Sequence, residues 1–263
     1  MSVTLAETPA PVASLSPALD FVFESALARA AEPAWLVALR REAWARANRD
    51  GKIAEAGIAV DKKDERWRFS GHRGWSLDGA VLATGKPTVA LPDIFAGGAP
   101  IAPTGQLTFA DDALTRHSPV SAELVRKGVI FLPLAEAIAK HPDLVREHLF
   151  KHDRALGGGK FLALHQAYTR AGTFLYVPDN VEISAPFFTA HWAVAPGAAM
   201  FPHTLIVTGA NAAVNFLDYY GSAANDQPAW VAGAATILAG PGSRVFRKSV
   251  QNLHARALSY HDD

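Results

Sequence analysis

The chain has no cysteine. A disulfide framework, a thiolate metal site and a cysteine nucleophile are therefore excluded within it. It also has no net charge, because 25 Lys and Arg balance 25 Asp and Glu. A dedicated nucleic-acid binder needs a basic excess to neutralise phosphates, so that class is not expected. No apolar run reaches the ~18 residues of a membrane span. The first twenty residues lack a basic segment followed by an apolar one, so they do not read as a secretory signal. The expected location is the cytoplasm, with neither a membrane nor a nucleic-acid partner.

What remains is an ordinary globular composition, 49% hydrophobic and 19% charged over 263 residues. That length suits one large domain or two smaller ones with a substantial core. Residues 1–15, rich in Pro, Ala, Ser and Thr, read as a flexible lead-in. Ser16-Pro17 supplies an N-cap and a first-turn proline, with Leu19, Val22, Phe23 and Leu27 on one helix face. A second helix starts at Pro33. Its inward face is predicted to be Trp35, Leu36, Leu39 and Ala43, with Arg40, Arg41 and Arg46 outside and a stop at residues 48–51. Residues 64–70 alternate charged and aromatic side chains and read as extended. Residues 71–118 read as loop, with short apolar runs at 89–91 and 107–109. A strand is expected at 128–131, then helices at 134–140 and 142–152 divided by Pro142, and another at 160–170.

The period changes across Ala171-Gly172 from helical to strand-like. Eight short strands are expected from there on, over 173–177, 181–184, 187–194, 204–207, 213–219, 229–238, 244–250 and 254–260. Pro178-Asp179-Asn180, Gly209-Ala210-Asn211 and Gly240-Pro241-Gly242 punctuate them. Even spacing of this kind indicates a sandwich, a barrel or a β-helix, and the pattern alone does not choose. The class is α+β: a mainly helical region with a long loop over 16–171, then stacked strands over 172–263.

No enzyme signature stands up to inspection. His148 and His152 share a helix face at i, i+4, but the HExxH order and a third ligand are missing. His191, His203, His254 and His261 lack the close His-x-His pair and glutamate of a cupin-type metal site, so they read as surface or partly buried structural residues. Gly157-Gly158-Gly159-Lys160 is followed by Phe161, which cannot hold magnesium as a P-loop hydroxyl does. Ser118, Ser121 and Ser222 lack a nucleophile elbow, and Glu182, Asp218 and Asp226 form no carboxylate pair. Trp35, Trp44 and Trp67 read as core anchors.

Several segments, in order, resemble the SufB/SufD family of iron–sulfur cluster assembly proteins. They are Pro33-Ala34-Trp35-Leu36, Asp64-Glu65-Arg66-Trp67-Arg68-Phe69-Ser70, and Gly128-Val129-Ile130-Phe131 with His141-Pro142. The strongest is Lys160-Phe161 through Ala167, followed by Gly172-Thr173-Phe174-Leu175-Tyr176-Val177-Pro178. Ser184-Ala185-Pro186 and Pro202-His203-Thr204-Leu205-Ile206-Val207 follow. The resemblance implies an N-terminal helical region leading into a right-handed parallel β-helix. It implies a non-catalytic scaffold subunit that partners a SufB-like subunit and a SufC-like ABC ATPase. The missing cysteine points to the SufD-like side of the family: Tyr220 stands where SufB-like members carry one. Gln251 and Asn252 match a segment that lines the interior passage of the β-helix in SufB, while Leu253 replaces its aromatic and His203 replaces a common arginine. Relatives continue well past residue 263, so the C-terminal remainder is expected to be absent here. No catalytic or metal residue is assigned, and no cofactor is expected on this chain alone. A cluster is expected only in the full complex. The alternatives are a β-helix or cupin-type enzyme acting on a small molecule or glycan, and a stand-alone binding module.

Overall fold

The computed structural model describes residues 23–24, 26–27, 32–47, 80–82, 89–92, 94, 102–151, 159–223 and 227–262. The expected lead-in, the Ser16-Pro17 cap, the stop at 48–51, the 64–70 segment, His152, Gly157, Gly158 and Asp226 lie outside these residues.

Helix α1 (Ala34–Ala47) starts where Pro33 leaves its carbonyl free to accept from the Leu36 and Val37 amides at 2.9 and 3.2 Å. Its buried stripe is Leu36, Arg40, Ala43, Trp44 and Ala47. The expected face is corrected at two positions: Leu39 points out, 36% exposed, and Arg40 points in, 5% exposed. Arg40 can be buried because every polar edge finds a partner. Its Nε and Nη2 donate to the Glu32 carboxylate at 2.6 and 2.7 Å, and Nη1 donates to the Gln166 carbonyl at 3.1 Å. That carbonyl belongs to the last turn of α5, where a cation also meets the negative helix end.

Short helix α2 (Ala122–Arg126) is capped by Ser121, whose hydroxyl accepts from the Leu124 amide. Helices α3 (Leu134–Lys140) and α4 (Pro142–His148) are divided at Pro142, as its place in the sequence predicts. Helix α5 (Gly159–Tyr168) leads into the strands.

The strands form two sheets. The first runs β10 (Arg244–Asn252), β8 (Ala213–Ser222), β5 (Glu182–Ala193), β1 (Gly105–Ala110), β2 (Ala113–Ser118). The second runs β11 (Ala257–Asp262), β9 (Ala229–Ala239), β7 (His203–Thr208), β4 (Gly172–Val177), β3 (Ile130–Pro133), with β6 (Ala198–Met200) also on β9. Among the described residues only β1–β2 and β3–β4 pair antiparallel, and the other strand pairs are parallel. From β4 onward the long strands alternate between sheets, short β6 excepted, and each pairs with the next long strand of its own sheet. The β1–β2 hairpin occupies part of the segment expected to be loop, and the two strands expected over 181–194 are one, β5, irregular between Ile183 and Phe187.

The punctuating turns stack on one another. The Asn180 amide donates to the Ala210 carbonyl at 2.8 Å, and the Asn211 amide to that of Pro241 at 2.9 Å. The third residue of each turn has positive φ: Asn180 at 59°, Asn211 at 55°, Gly242 at 69°. These residue types tolerate that conformation. Gly209 is needed for closeness, since a Cβ there would lie 2.6 Å from the Asp179 amide nitrogen.

Side chains alternate across each strand, so each sheet has two faces. Between the sheets lie Leu107, Phe109, Leu175, Val177, Phe187, Ile206, Val214 and Phe216. On the outward face of the second sheet, α3 and α4 cover Phe174, Leu205 and Val207. Helices α1 and α5 cover Phe201, Trp230 and Ala232.

Candidate functional site

The space between the sheets is not uniformly apolar. Lateral register places Thr173 beside Thr204 in the second sheet and Thr189 beside Asp218 in the first. Hydrogen bonds then cross between sheets: the Thr173 and Thr189 hydroxyls lie 2.9 Å apart, and Thr204 Oγ1 donates to Asp218 Oδ1 at 3.1 Å. All four residues are fully buried. Arg247 of β10 closes the layer, with Nε donating to Asp218 Oδ2 at 2.8 Å and Nη2 equally close. A buried ion pair persists only where geometry and further hydrogen bonds offset desolvation, and here the threonine supplies one.

Two residues further along the same strands lies a second polar layer. His191 is in register with Tyr220, and Tyr220 with Gln251. The His191 ring stacks on Phe109 with centroids 4.9 Å apart, and on Tyr220 at 5.4 Å. From the opposite sheet His261 meets Tyr220 edge-on at 4.4 Å. His261 fits because its lateral neighbour is Gly233, where a Cβ would come within 2.6 Å of the imidazole Nδ1. Burial, reinforced by the nearby His261, pushes the His191 pKa down to about 3. His191 is therefore a neutral imidazole, and both its ring nitrogens are buried without a hydrogen bond. A buried polar group left that way is uncommon and costs stability.

The four strand-region histidines do not converge. His191 and His261 share the inter-sheet space. His203 faces the helices instead, where its Nδ1 lies 3.0 Å from His165 Nε2. His165 Nδ1 lies 2.7 Å from the Ala232 carbonyl, which can only accept, so that nitrogen carries the proton. His165 Nε2 and His203 Nδ1 share one proton between them, and His203 Nε2 lies 3.5 Å from the Thr236 hydroxyl. His254 sits in a turn, its amide donating to Ser222 Oγ at 3.0 Å. The expectation of surface or partly buried histidines is thus corrected for His191 and His203, both wholly buried. They are tolerated because His191 stays neutral against rings and His203 sits in a hydrogen-bond chain. Among the described residues no group of three or more His, Asp or Glu is placed to hold a metal ion.

The remaining candidates take structural places. His148 ends α4, 4.0 Å from the Glu147 carboxylate. Ser121 is a helix cap and Ser118 ends β2. Glu182 pairs with Arg244 on the surface at 3.0 Å. Trp44 is buried and stacks on Phe23 at 5.1 Å. Gln251 and Asn252 are exposed on β10, which ends the first sheet. Asn252 Nδ2 donates to the Tyr219 hydroxyl at 2.8 Å. Thr173, Thr189, Thr204 and Arg247 were not singled out by the sequence. For the three threonines the signal was available, as polar residues at alternate positions in otherwise apolar strands; Arg247 lies in a largely polar strand and gave none.

The described residues thus form an α+β arrangement, with helices against one of two largely parallel sheets and polar layers between the sheets. A model of the SufBD protein N-terminal region matches residues 27–187, more than half of the chain. The chain belongs to the SufBD family, and within it is SufD-like. It is 28% identical over 234 residues to the iron-sulfur cluster assembly protein SufD of Bacillus subtilis, covering 87% of this chain and 51% of that protein. It is 33% identical over 96 residues to a SufBD family protein of Pyrococcus horikoshii, covering 36% of this chain and 21% of the relative. It is 29% identical over 132 residues to the chloroplastic SufBD family protein ABCI8 of Arabidopsis thaliana, covering 50% and 24%. The chain spans about half the length of the SufD that it matches.

Proposed function

We propose that this chain is a SufD-like, non-catalytic scaffold in iron–sulfur cluster assembly, working in the cytoplasm with a SufB-like subunit and a SufC-like ABC ATPase. The observation that carries this is the match of 87% of the chain to a SufD. Its strands wind as a right-handed parallel β-helix. The alternation between sheets, the parallel registers and the stacked turns support that winding. A cluster is cargo of the whole complex, and the chain alone holds none. Gln251 borders the interior passage and continues the row of His191 and Tyr220, while Asn252 stands on the other face of β10. Among the described residues no helix is long and apolar enough to cross a membrane.

The test is co-expression of the chain with SufB and SufC from the same organism, followed by affinity purification, anaerobic reconstitution and iron and sulfide analysis. A stable complex with SufB, and a cluster only when SufB is present, is expected. A stoichiometric cluster on the chain by itself, or no association with SufB, overturns the proposal.

A further inference from the structure

From Phe23 to β11, seven aromatic rings form an unbroken row. Phe23 stacks on Trp44 with centroids 5.1 Å apart, and Trp44 meets Tyr168 edge-on at 5.7 Å. Tyr168 stacks on Phe201 at 5.3 Å, and Phe201 leans on Trp230 at 5.6 Å. Phe161 lies 6.4 Å further on, and Tyr260 stacks on it at 4.4 Å. Trp44 comes from α1, Phe161 and Tyr168 from the two ends of α5, Trp230 from β9 and Tyr260 from β11, on the sheet face that the helices cover. The other six rings are buried, whereas Tyr260 is partly exposed.

Core packing asks only for size and shape, and three features go beyond it. Trp44, Tyr168, Trp230 and Tyr260 carry the side chains that give up an electron most readily, and no two successive ones are separated by more than one phenylalanine. The Trp230 Nε1–H is buried without an acceptor among the described residues, which is uncommon in a core and costs stability. An indole radical cation formed there meets no base for its proton, so it is not trapped and stays strongly oxidising. At the partly exposed end the chemistry is the reverse, because the Tyr260 hydroxyl donates to Asp262 Oδ2 at 3.2 Å. Burial, reinforced by the Asp262 charge, raises the pKa of that phenol, so its proton leaves only when an electron does.

We propose that this row of rings carries one-electron oxidising equivalents out of the core to Tyr260. A one-electron oxidant removes an electron from the Trp44 or Trp230 indole and is itself reduced. Tyr260 returns an electron to that indole along the rings, and its phenol proton moves to Asp262 Oδ2. The products are intact tryptophan, a neutral tyrosyl radical at Tyr260 and a protonated Asp262. The damage is thereby moved from buried indoles, whose loss would open the core, to a ring that solvent reductants can reach. This activity is independent of the assembly role, and failure of either leaves the other standing.

The test generates azide radicals by pulse radiolysis in a solution of the full chain, because these radicals oxidise tryptophan in preference to other side chains. Trp192 and Tyr219 also touch, at 5.2 Å, so the Tyr219→Phe chain serves as the reference. Its indolyl absorption is expected to convert to tyrosyl absorption in a first-order phase whose rate does not depend on protein concentration. Tyr260→Phe keeps the stacked ring, so a purely structural role would leave the kinetics unmoved; the expected result is loss of that phase. Asp262→Asn keeps an acceptor but not a base, and slows it. Phe161→Leu takes one ring out of the row and slows it as well; if that variant does not fold, the other two decide. A nitroso spin trap followed by peptide mass spectrometry is expected to place the adduct on Tyr260. A conversion that scales with protein concentration, one unchanged in Tyr260→Phe, or an adduct confined to other tyrosines would overturn the proposal.

Discussion

Two polar layers lie between the sheets, two residues apart, and they are resolved in opposite ways. In the layer of Thr173, Thr189, Thr204, Asp218 and Arg247, hydrogen bonds cross between the sheets at 2.9 and 3.1 Å, and Arg247 meets Asp218 within the first sheet at 2.8 Å. In the neighbouring layer His191 relies on ring stacking, with neither nitrogen hydrogen-bonded. The first layer couples the two sheets by matched polar contacts. The second holds a neutral imidazole at a cost. A buried polar network is stabilising and specifying when complete, and a liability when incomplete.

The largest effect should come from opening the complete layer. Arg247→Met removes the ion pair from the buried Asp218 carboxylate, and should cost about 3–5 kcal/mol in chemical denaturation. The double variant Asp218→Leu with Arg247→Met should recover part of that loss, because no unpaired charge remains. Phe216→Ala, in the apolar part of the same space, offers a calibration at about 3–5 kcal/mol. A double variant as unstable as the single would mean that the layer contributes through packing rather than charge.

The incomplete layer should show itself in pH dependence. His191 titrates near 6.5 in the unfolded chain and at about 3 when folded. As pH falls, the unfolded state takes up the proton first. The contribution is therefore fully present above pH 6.5 and is lost as pH falls towards 3. Between pH 7 and pH 5 the wild type should lose about 2 kcal/mol more than His191→Phe. Parallel stability curves for the two proteins would show that His191 is not buried as described.

Asp112, in the β1–β2 turn, should act with the opposite sign and less strongly. Burial pushes its pKa up to about 7, against the pull of Arg170. Its folded value is raised, so the folded state keeps the proton longer, and the benefit is lost as pH rises through 7. The residue as a whole is half-buried although its Oδ1 is shut off from solvent, so the effect is discounted. Asp112→Asn should gain about 1–2 kcal/mol at pH 8 and nothing at pH 4.

The parts of this architecture written into the sequence are those set by local chemistry. Pro142 divides two helices, and the Asn and Gly turns repeat because positive φ recurs at the same place in each. The hairpin of β1 and β2 escaped notice because β1 is short and its parallel partner β5 lies about 80 residues on, where no local pattern registers it. The polar layers were hidden for a different reason. In β10 the inward positions are Val245, Arg247, Ser249 and Gln251, while Phe246 and Val250 stand 58% and 40% exposed. Alternation was visible there, but the usual assignment of apolar side chains to the inside is reversed. Arg40 was misplaced by the same rule, since a charged side chain is buried only when paired.

The smallest expected effect tests where the second layer ends. Gln251 extends the row of His191 and Tyr220 onto β10 and is exposed there, β10 being the last strand of the first sheet among the described residues. Gln251→Ala should therefore change stability by less than about 0.5 kcal/mol. Asn252 faces the other way and donates to the Tyr219 hydroxyl at 2.8 Å, so Asn252→Ala should cost about 0.5–1 kcal/mol. Denaturation midpoints of the two variants separate these cases, and a costly Gln251→Ala beside a silent Asn252→Ala would reverse the assigned faces of β10. With the faces as described, Gln251 is a position where the interior row reaches solvent at almost no structural cost. Gln251 can therefore be substituted without unfolding the chain.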